Sequence, residues 1–153
     1  MQNVHKSTED MWWIIDWKLF YDYLIKKFDA NKIIMFIWYL ARYQKLYNKL
    51  TDIWYSINFK EVLIRKDGSI KWDVDIDIAI QAMKDIHNNS ITKAYLVTWD
   101  ADYNTLIDEW VKEWIWWRLL VPNLGKTMYI LRKAAQSKIQ ALTDIKHLYQ
   151  NVN

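Results

Sequence analysis

The sequence has no cysteine and very little glycine or proline, and these shortages exclude several classes of protein. Of its 153 residues, none is Cys, two are Gly and one is Pro. Without cysteine there is no disulfide framework, thiolate zinc site, iron–sulfur cluster or cysteine nucleophile. No apolar run reaches the 18 residues that a membrane-spanning helix needs. The N-terminus lacks the basic-then-apolar order of a signal peptide, so the default expectation is a cytoplasmic protein without a membrane partner.

Length and charge predict one soluble domain. There are 21 basic and 18 acidic residues, a formal net charge of +3 at pH 7, which is compatible with a polyanionic partner without requiring one. No repeat, Ser/Pro-rich linker or low-complexity segment divides the chain. We therefore predict a single domain over residues 1–153, with a helical tail over about 142–153.

Hydrophobic periodicity predicts helices that alternate with short apolar strands. Asp16 is the predicted N-cap of the first helix, and the third helix opens near Asp75. Helices are predicted over 17–28, 43–53, 75–86, 103–114 and 126–137, and extended segments over 32–37, 55–64, 94–97, 119–121 and 139–142, with a turn at 66–69. Such alternation is typical of a three-layer α/β fold, with a parallel sheet covered on both faces.

Two acidic clusters are predicted at one edge of that sheet. Asp100 and Asp102 follow the strand at 94–97, and Asp73, Asp75 and Asp77 surround the start of the third helix. In parallel α/β sheets, ligands bind at the carboxyl ends of the strands, beside the N-termini of helices. Converging carboxylates repel one another unless a cation lies between them, and such oxygen ligands select Mg²⁺ or Mn²⁺.

A purely structural role for the same residues stays open. Aspartate is a common N-cap, so Asp102 and either Asp73 or Asp75 could simply cap helices. Asp77 would lie in the first helical turn, where a negative charge is stabilised by the helix dipole.

The order and spacing of several motifs resemble the NYN domains of the PIN-like nuclease superfamily. Residues 71–79, KWDVDIDIA, are similar to the family pattern K-G-N-x-D-x-D followed by two hydrophobic residues. Residues 96–103, LVTWDADY, resemble L-V-S/T-x-D-G-D-F/Y. Residues 3–6, NVHK, are similar to the segment that follows the family's first aspartate in a D-x-x-N motif. The resemblance spans nearly the whole chain.

The resemblance implies a PIN-like fold and a metal-dependent ribonuclease site. Mg²⁺ or Mn²⁺ would be held by Asp75, Asp77, Asp100 and Asp102. Of these, Asp75, Asp100 and Asp102 would be the catalytic residues, with Asn3 and Thr98 in supporting roles. The substrate would be RNA, preferably single-stranded. The alternative is a non-catalytic RNA-binding or regulatory module with the same fold, and a homo-oligomer stays open in either case.

The sequence departs from the family pattern in two ways. The family's first aspartate and most of its first strand would precede Met1, which predicts that the reading frame starts at an internal Met and that activity is impaired as the sequence stands.

The second departure concerns tryptophan, which stands where relatives commonly carry a small residue, at positions 12, 38, 54 and 72 and less clearly at 99, 114 and 117. Average usage of about 7% predicts roughly 11 glycines, but the chain has 2 Gly and 11 Trp. Some genetic codes read UGA as glycine and others read it as tryptophan, so translation with the wrong code would explain both counts. An aromatic-rich core, or tryptophans that stack on bases, is the alternative.

Overall fold

A computed structural model of the chain describes residues 15–60, 63–64, 70–71, 74–98, 100–127 and 129–148. The chain forms two compact units, one made of Met1–Val74 with His147–Asn153 and the other of Asp75–Lys146. Among the described helices, none combines the length and the apolarity needed to cross a membrane.

Among its described residues, the first unit contains two α-helices and a parallel pair of strands. In chain order they are α1 (Trp17–Phe28), β1 (Ile34–Trp38), α2 (Gln44–Asp52) and β2 (Ser56–Lys60). The short strands β3 (Leu63–Ile64) and β4 (Ile70–Lys71) pair antiparallel. The turn predicted at 66–69 lies outside the described residues.

Helix α1 begins where the sequence predicts, because Asp16 caps it. The Asp16 carboxylate accepts hydrogen bonds from the backbone N–H groups of Lys18 and Leu19, at 2.9 and 3.0 Å. These bonds satisfy two of the donors that a helix N-terminus leaves free. The helix then buries one face, which carries Trp17, Phe20, Tyr23, Leu24 and Phe28.

The second unit contains a three-stranded parallel sheet with β6 in the centre. Its elements are α3 (Asp75–His87), β5 (Lys93–Val97), α4 (Asn104–Lys112), β6 (Trp116–Val121), α5 (Tyr129–Ala135) and β7 (Ile139–Ala141). The strand order is β5-β6-β7. In the register, Leu119 is the partner of Leu96 on one side and of Ile139 on the other.

The core of the second unit is centred on the end of β6. Leu119, Leu120 and Val121 have no exposed surface, because a central parallel strand is covered on both faces. Leu131 of α5 and Ile107 of α4 pack in the same cluster as Leu119. The carboxyl end of β5 therefore stands beside one of the most deeply buried parts of the chain.

The α/β class is confirmed, the pairs β1–β2, β5–β6 and β6–β7 are parallel as predicted, and the predicted strand at 139–142 is the edge strand β7. Two helix boundaries were wrong. Trp114 was predicted inside α4, but the helix ends at Lys112 and Trp114 has a left-handed backbone with φ 57°. The helix predicted over 126–137 is reduced to Tyr129–Ala135, with 3₁₀ turns on both sides. The chain continues as a 3₁₀ helix over Leu142–Leu148, and 149–153 lie outside the described residues.

Candidate functional site

The loop after β5 is held in a fixed shape by its own polar side chains. The backbone N–H of Thr98 donates to the carbonyl of Leu120 at 3.1 Å, so Thr98 still belongs to the sheet ladder. Its Oγ1 accepts from the N–H of Asp100 at 3.1 Å. The Asp100 carboxylate accepts from the N–H of Asp102 at 3.0 Å. The loop is therefore built from consecutive side-chain-to-backbone turns, which fix the backbone at the carboxyl end of β5.

The capping residue of this loop is Asp100 and not Asp102. Asp100 is the N-cap of the 3₁₀ turn Ala101–Tyr103, which leads directly into α4. The interpretation of Asp102 as a helix cap was wrong, because the backbone adds a 3₁₀ turn before the α-helix begins. Asp100 is half-buried, whereas Asp102 is exposed.

The other two candidate carboxylates lie in the first turn of α3. Asp75 is the first residue of that helix and Asp77 the third, and both are half-buried. The backbone N–H groups at a helix N-terminus favour negative charge, which lowers the cost of holding two carboxylates close together. Asp73, which sequence analysis offered as an alternative cap, lies outside the described residues, as does the proposed supporting residue Asn3.

Tyr103 connects the two acidic segments. Its ring is buried, with only 4% of its surface exposed, in the core cluster that includes Leu106 and Ile107. Its hydroxyl donates to Oδ1 of Asp75. This bond runs from the loop that carries Asp100 and Asp102 to the first residue of α3, so it joins both segments within the second unit.

The hydrogen bond of Tyr103 to Asp75 was not predicted from the sequence. Tyr103 was read only as the aromatic residue of a motif, although a buried tyrosine hydroxyl usually needs a polar partner. Oδ1 of Asn104 is a buried oxygen to which no residue of the described ranges donates a hydrogen bond.

The chemistry of these donors suits a hard cation, but the described side chains do not complete a site. Carboxylate and amide oxygens are the ligands that Mg²⁺ and Mn²⁺ prefer. Within the described ranges, however, no three Asp, Glu, His or Cys side chains are grouped closely enough to hold a metal ion. Asp75, Asp77, Asp100 and Asp102 therefore do not form a metal site by themselves among the described residues.

The α/β fold defines the class of the protein, which is a domain with a PIN-like, nuclease-type fold. The family model for the NYN domain matches residues 1–142, and the chain belongs to the NYN domain family. Members of this family are generally RNA-binding and generally use divalent metals.

A solved structure supports the fold. The crystal structure of a protein of unknown function from Vibrio parahaemolyticus matches with a TM-score of 0.74 and 18% sequence identity, over 98% of this chain and 91% of that chain. At this identity the match shows a shared fold alone. None of the curated proteins matches the chain significantly.

Proposed function

We propose that the domain is a divalent-metal-dependent ribonuclease that hydrolyses phosphodiester bonds of single-stranded RNA in the cytoplasm. The observation that carries the proposal is the hydrogen bond from Tyr103 to Asp75. It links the acidic N-terminus of α3 to the loop with Asp100 and Asp102, which supports a site that uses carboxylates from both segments. Membership of the NYN family supports the same activity.

In this proposal Asp75, Asp100 and Asp102 act in catalysis and Asp77 adds a fourth carboxylate ligand. One oxygen of Asp75 is held by Tyr103 and one oxygen of Asp100 by the loop backbone. Each carboxylate is thereby oriented, and its second oxygen can serve as a ligand. Mg²⁺ or Mn²⁺, when bound, would activate water and offset the charge that develops on the phosphate.

Supporting residues keep these carboxylates in place. Thr98 accepts from the backbone of Asp100 and pairs with β6 through its own N–H, so it anchors the loop to the sheet. Asn3 is proposed as a further supporting residue on the family resemblance alone.

The second candidate function is a non-catalytic RNA-binding module. It is favoured by the absence, from the described ranges, of three acidic or histidine side chains grouped as metal ligands. A domain that keeps the fold but holds its metal weakly would bind RNA and leave it intact.

The experiment measures cleavage and metal binding with the full chain. A labelled single-stranded RNA is incubated with excess protein under single-turnover conditions, because activity of the sequence as it stands is expected to be low. We expect slow cleavage in Mg²⁺ or Mn²⁺ and none in EDTA. Asp100→Asn retains a side-chain oxygen that can cap the turn but removes a ligand charge, so the rate should fall about 100-fold or more while the fold is kept.

Asp108→Asn is the matched control, since Asp108 is an exposed carboxylate on α4 of the same unit, and its rate should equal that of the parent. In a second measurement, Mn²⁺ should raise the melting temperature of the parent and of Asp108→Asn more than that of Asp75→Asn or Asp100→Asn. RNA that is bound but stays intact at saturating metal would replace the ribonuclease proposal with the binding module. RNA that is not bound at all would exclude both functions.

A further inference from the structure

Three helices of the protein end in the same hydrogen-bonded turn. At the end of α2, Trp54 N–H donates to the carbonyl of Thr51 at 2.9 Å, and Tyr55 N–H donates to the carbonyl of Leu50 at 3.1 Å. This pair of bonds is the Schellman motif, in which the residue between the two turns adopts a left-handed conformation. The residue in that position at the end of α2 is Trp54.

The ends of α3 and α4 repeat the pattern. At the end of α4, Trp114 N–H donates to the carbonyl of Val111 at 3.3 Å, and Ile115 N–H donates to the carbonyl of Trp110 at 2.9 Å. At the end of α3, Asn89 occupies the equivalent position, with its N–H bonded to the carbonyl of Ile86 at 2.8 Å.

The backbone at these three positions is the kind that favours glycine. The φ angles are 85° at Trp54, 57° at Trp114 and 50° at Asn89. Glycine has no Cβ to clash in this region, and asparagine is the usual second choice. A bulky aromatic residue there is an outlier. Of the three equivalent turns, one therefore has a residue that is common in this conformation, Asn89, and two have a residue that is rare in it, Trp54 and Trp114.

Neither tryptophan gains packing in return for its backbone strain. Trp54 is 79% exposed and Trp114 is 94% exposed, whereas Trp110 and Trp117 are 4% and 3% exposed. Tryptophan is normally retained because it buries a large apolar surface. These two side chains leave theirs in water, so neither packing nor backbone geometry explains them.

We infer that positions 54 and 114 carry glycine in the protein that the organism makes, their codons being UGA read as glycine. The backbone angles, the hydrogen bonds and the exposure support this inference without reference to any relative. The two Gly and 11 Trp of the sequence agree with it. The inference concerns the chemical identity of two residues and does not depend on the proposed function.

The backbone at Trp38 and Trp117 does not favour glycine. Trp38 and Trp117 lie within the strands β1 and β6, where any side chain is accommodated, and Trp117 is buried in the core of the second unit. Trp12, Trp72 and Trp99 lie outside the described residues. The inference is therefore limited to Trp54 and Trp114.

The direct test is to sequence the codons for positions 54 and 114 and to identify the two residues by mass spectrometry. The gene should have UGA at positions 54 and 114, and mass spectrometry of the protein purified from its own organism should find glycine in both peptides. A UGG codon at either position, or tryptophan in either native peptide, overturns the inference for that position.

The physical test measures melting temperatures of the full chain made with tryptophan and of its variants. Trp54→Gly and Trp114→Gly should each raise the melting temperature by about 2–6 °C, because the left-handed turn is relieved. Trp54→Ala and Trp114→Ala remove the ring but keep a Cβ, and should gain clearly less. Asn89→Gly should change little, since asparagine tolerates this conformation.

Trp117→Gly is the opposing control, since it empties a core position and should lower the melting temperature sharply. If the alanine and glycine variants at positions 54 and 114 raised the melting temperature equally, the exposed ring, and not the backbone conformation, would be the cause of the strain. That result, or a lower melting temperature for either glycine variant at 54 or 114, would contradict the structural argument.

Discussion

The two units of the protein use their buried tyrosines differently. In the first unit, Tyr55 donates to the backbone carbonyl of Trp17 at 2.8 Å and Tyr47 donates to that of Trp38 at 3.1 Å. Both bonds tie one element to another through the backbone. In the second unit, Tyr103 donates to the carboxylate of Asp75. The buried tyrosine hydroxyls of the first unit thus stabilise the fold, whereas the buried hydroxyl of Tyr103 in the second unit orients a candidate site residue.

The two cores also differ in composition. Rings make up much of the first core, with Trp17 and Tyr55 meeting edge to face at 6.5 Å, and buried tyrosine hydroxyls need hydrogen-bond partners. Aliphatic residues of β6, among them Leu119, fill the centre of the second core. The second core also contains Tyr103, Trp110 and Trp117, and the hydroxyl of Tyr103 finds its partner in the side chain of Asp75.

The largest effect is expected from Leu119→Ala, which opens a cavity in the aliphatic core. Leu119 is fully buried between β5 and β7, so the free energy of unfolding should fall by about 2–5 kcal/mol. Denaturant titration followed by circular dichroism measures the loss. Val111→Ala, at a position 55% exposed on α4, should change the stability by less than about 0.5 kcal/mol. Similar losses for both variants would mean that β6 is not the centre of the core.

A smaller effect is expected from Tyr55→Phe in the aromatic core. The variant keeps the ring but removes the hydrogen bond from the buried hydroxyl to the carbonyl of Trp17, which should cost about 1–1.5 kcal/mol at neutral pH. Unfolding titrations of parent and variant measure the difference. No loss at neutral pH would contradict the structural role of this hydroxyl.

The cost of Tyr55→Phe should also depend on pH. Burial, together with the nearby charges of Tyr21, Asp22 and Asp16, raises the pKa of Tyr55 well above its ordinary value. A raised pKa means that the folded state favours the neutral hydroxyl, so this stabilisation is complete below about pH 10 and is lost as the pH rises further. The stability difference between parent and variant should therefore stay constant up to about pH 10 and shrink at higher pH. A constant difference would show that Tyr55 does not ionise on unfolding.

The smallest effect on stability is expected from Tyr103→Phe. The ring keeps its packing, and half-buried Asp75 can take a water in place of the hydroxyl, so the loss should be about 1 kcal/mol or less. The concentration of Mn²⁺ needed to stabilise the protein in thermal melts should nevertheless rise several-fold, because Asp75 is no longer oriented. A purely structural tyrosine would change the melting temperature without changing the metal dependence, and that outcome would contradict the positioning role.

Local physics made much of the fold predictable. Asp16 stands before a clear helical pattern, and the cap it forms uses only its own carboxylate and the N–H groups of Lys18 and Leu19. The apolar run that ends at Val121 is long enough to be a buried strand and is followed by Pro122, which stops it. Such signals lie within a few residues of one another, so the sequence displays them directly.

The candidate site was predictable only in part, because its contacts are distant in sequence. Asp75 and Asp100 could be assigned to one sheet edge, but the bond between Tyr103 and Asp75 joins residues 28 positions apart and no local pattern encodes it. The end of α4 was missed for another reason. Trp114 continues the apolar periodicity of the helix, and nothing in a tryptophan signals a left-handed turn.

The parallel pairings have a consequence for how fast the chain can fold. Ile34 pairs with Ser56, Lys93 with Trp116 and Leu119 with Ile139, so each pairing of neighbouring strands closes a loop of only about twenty residues. Folding rates fall as contacting residues lie further apart in sequence, and parallel sheets are usually slow for that reason. Here each helix brings the next strand directly to its neighbour, so the search for partners stays local and each sheet can form without waiting for distant segments.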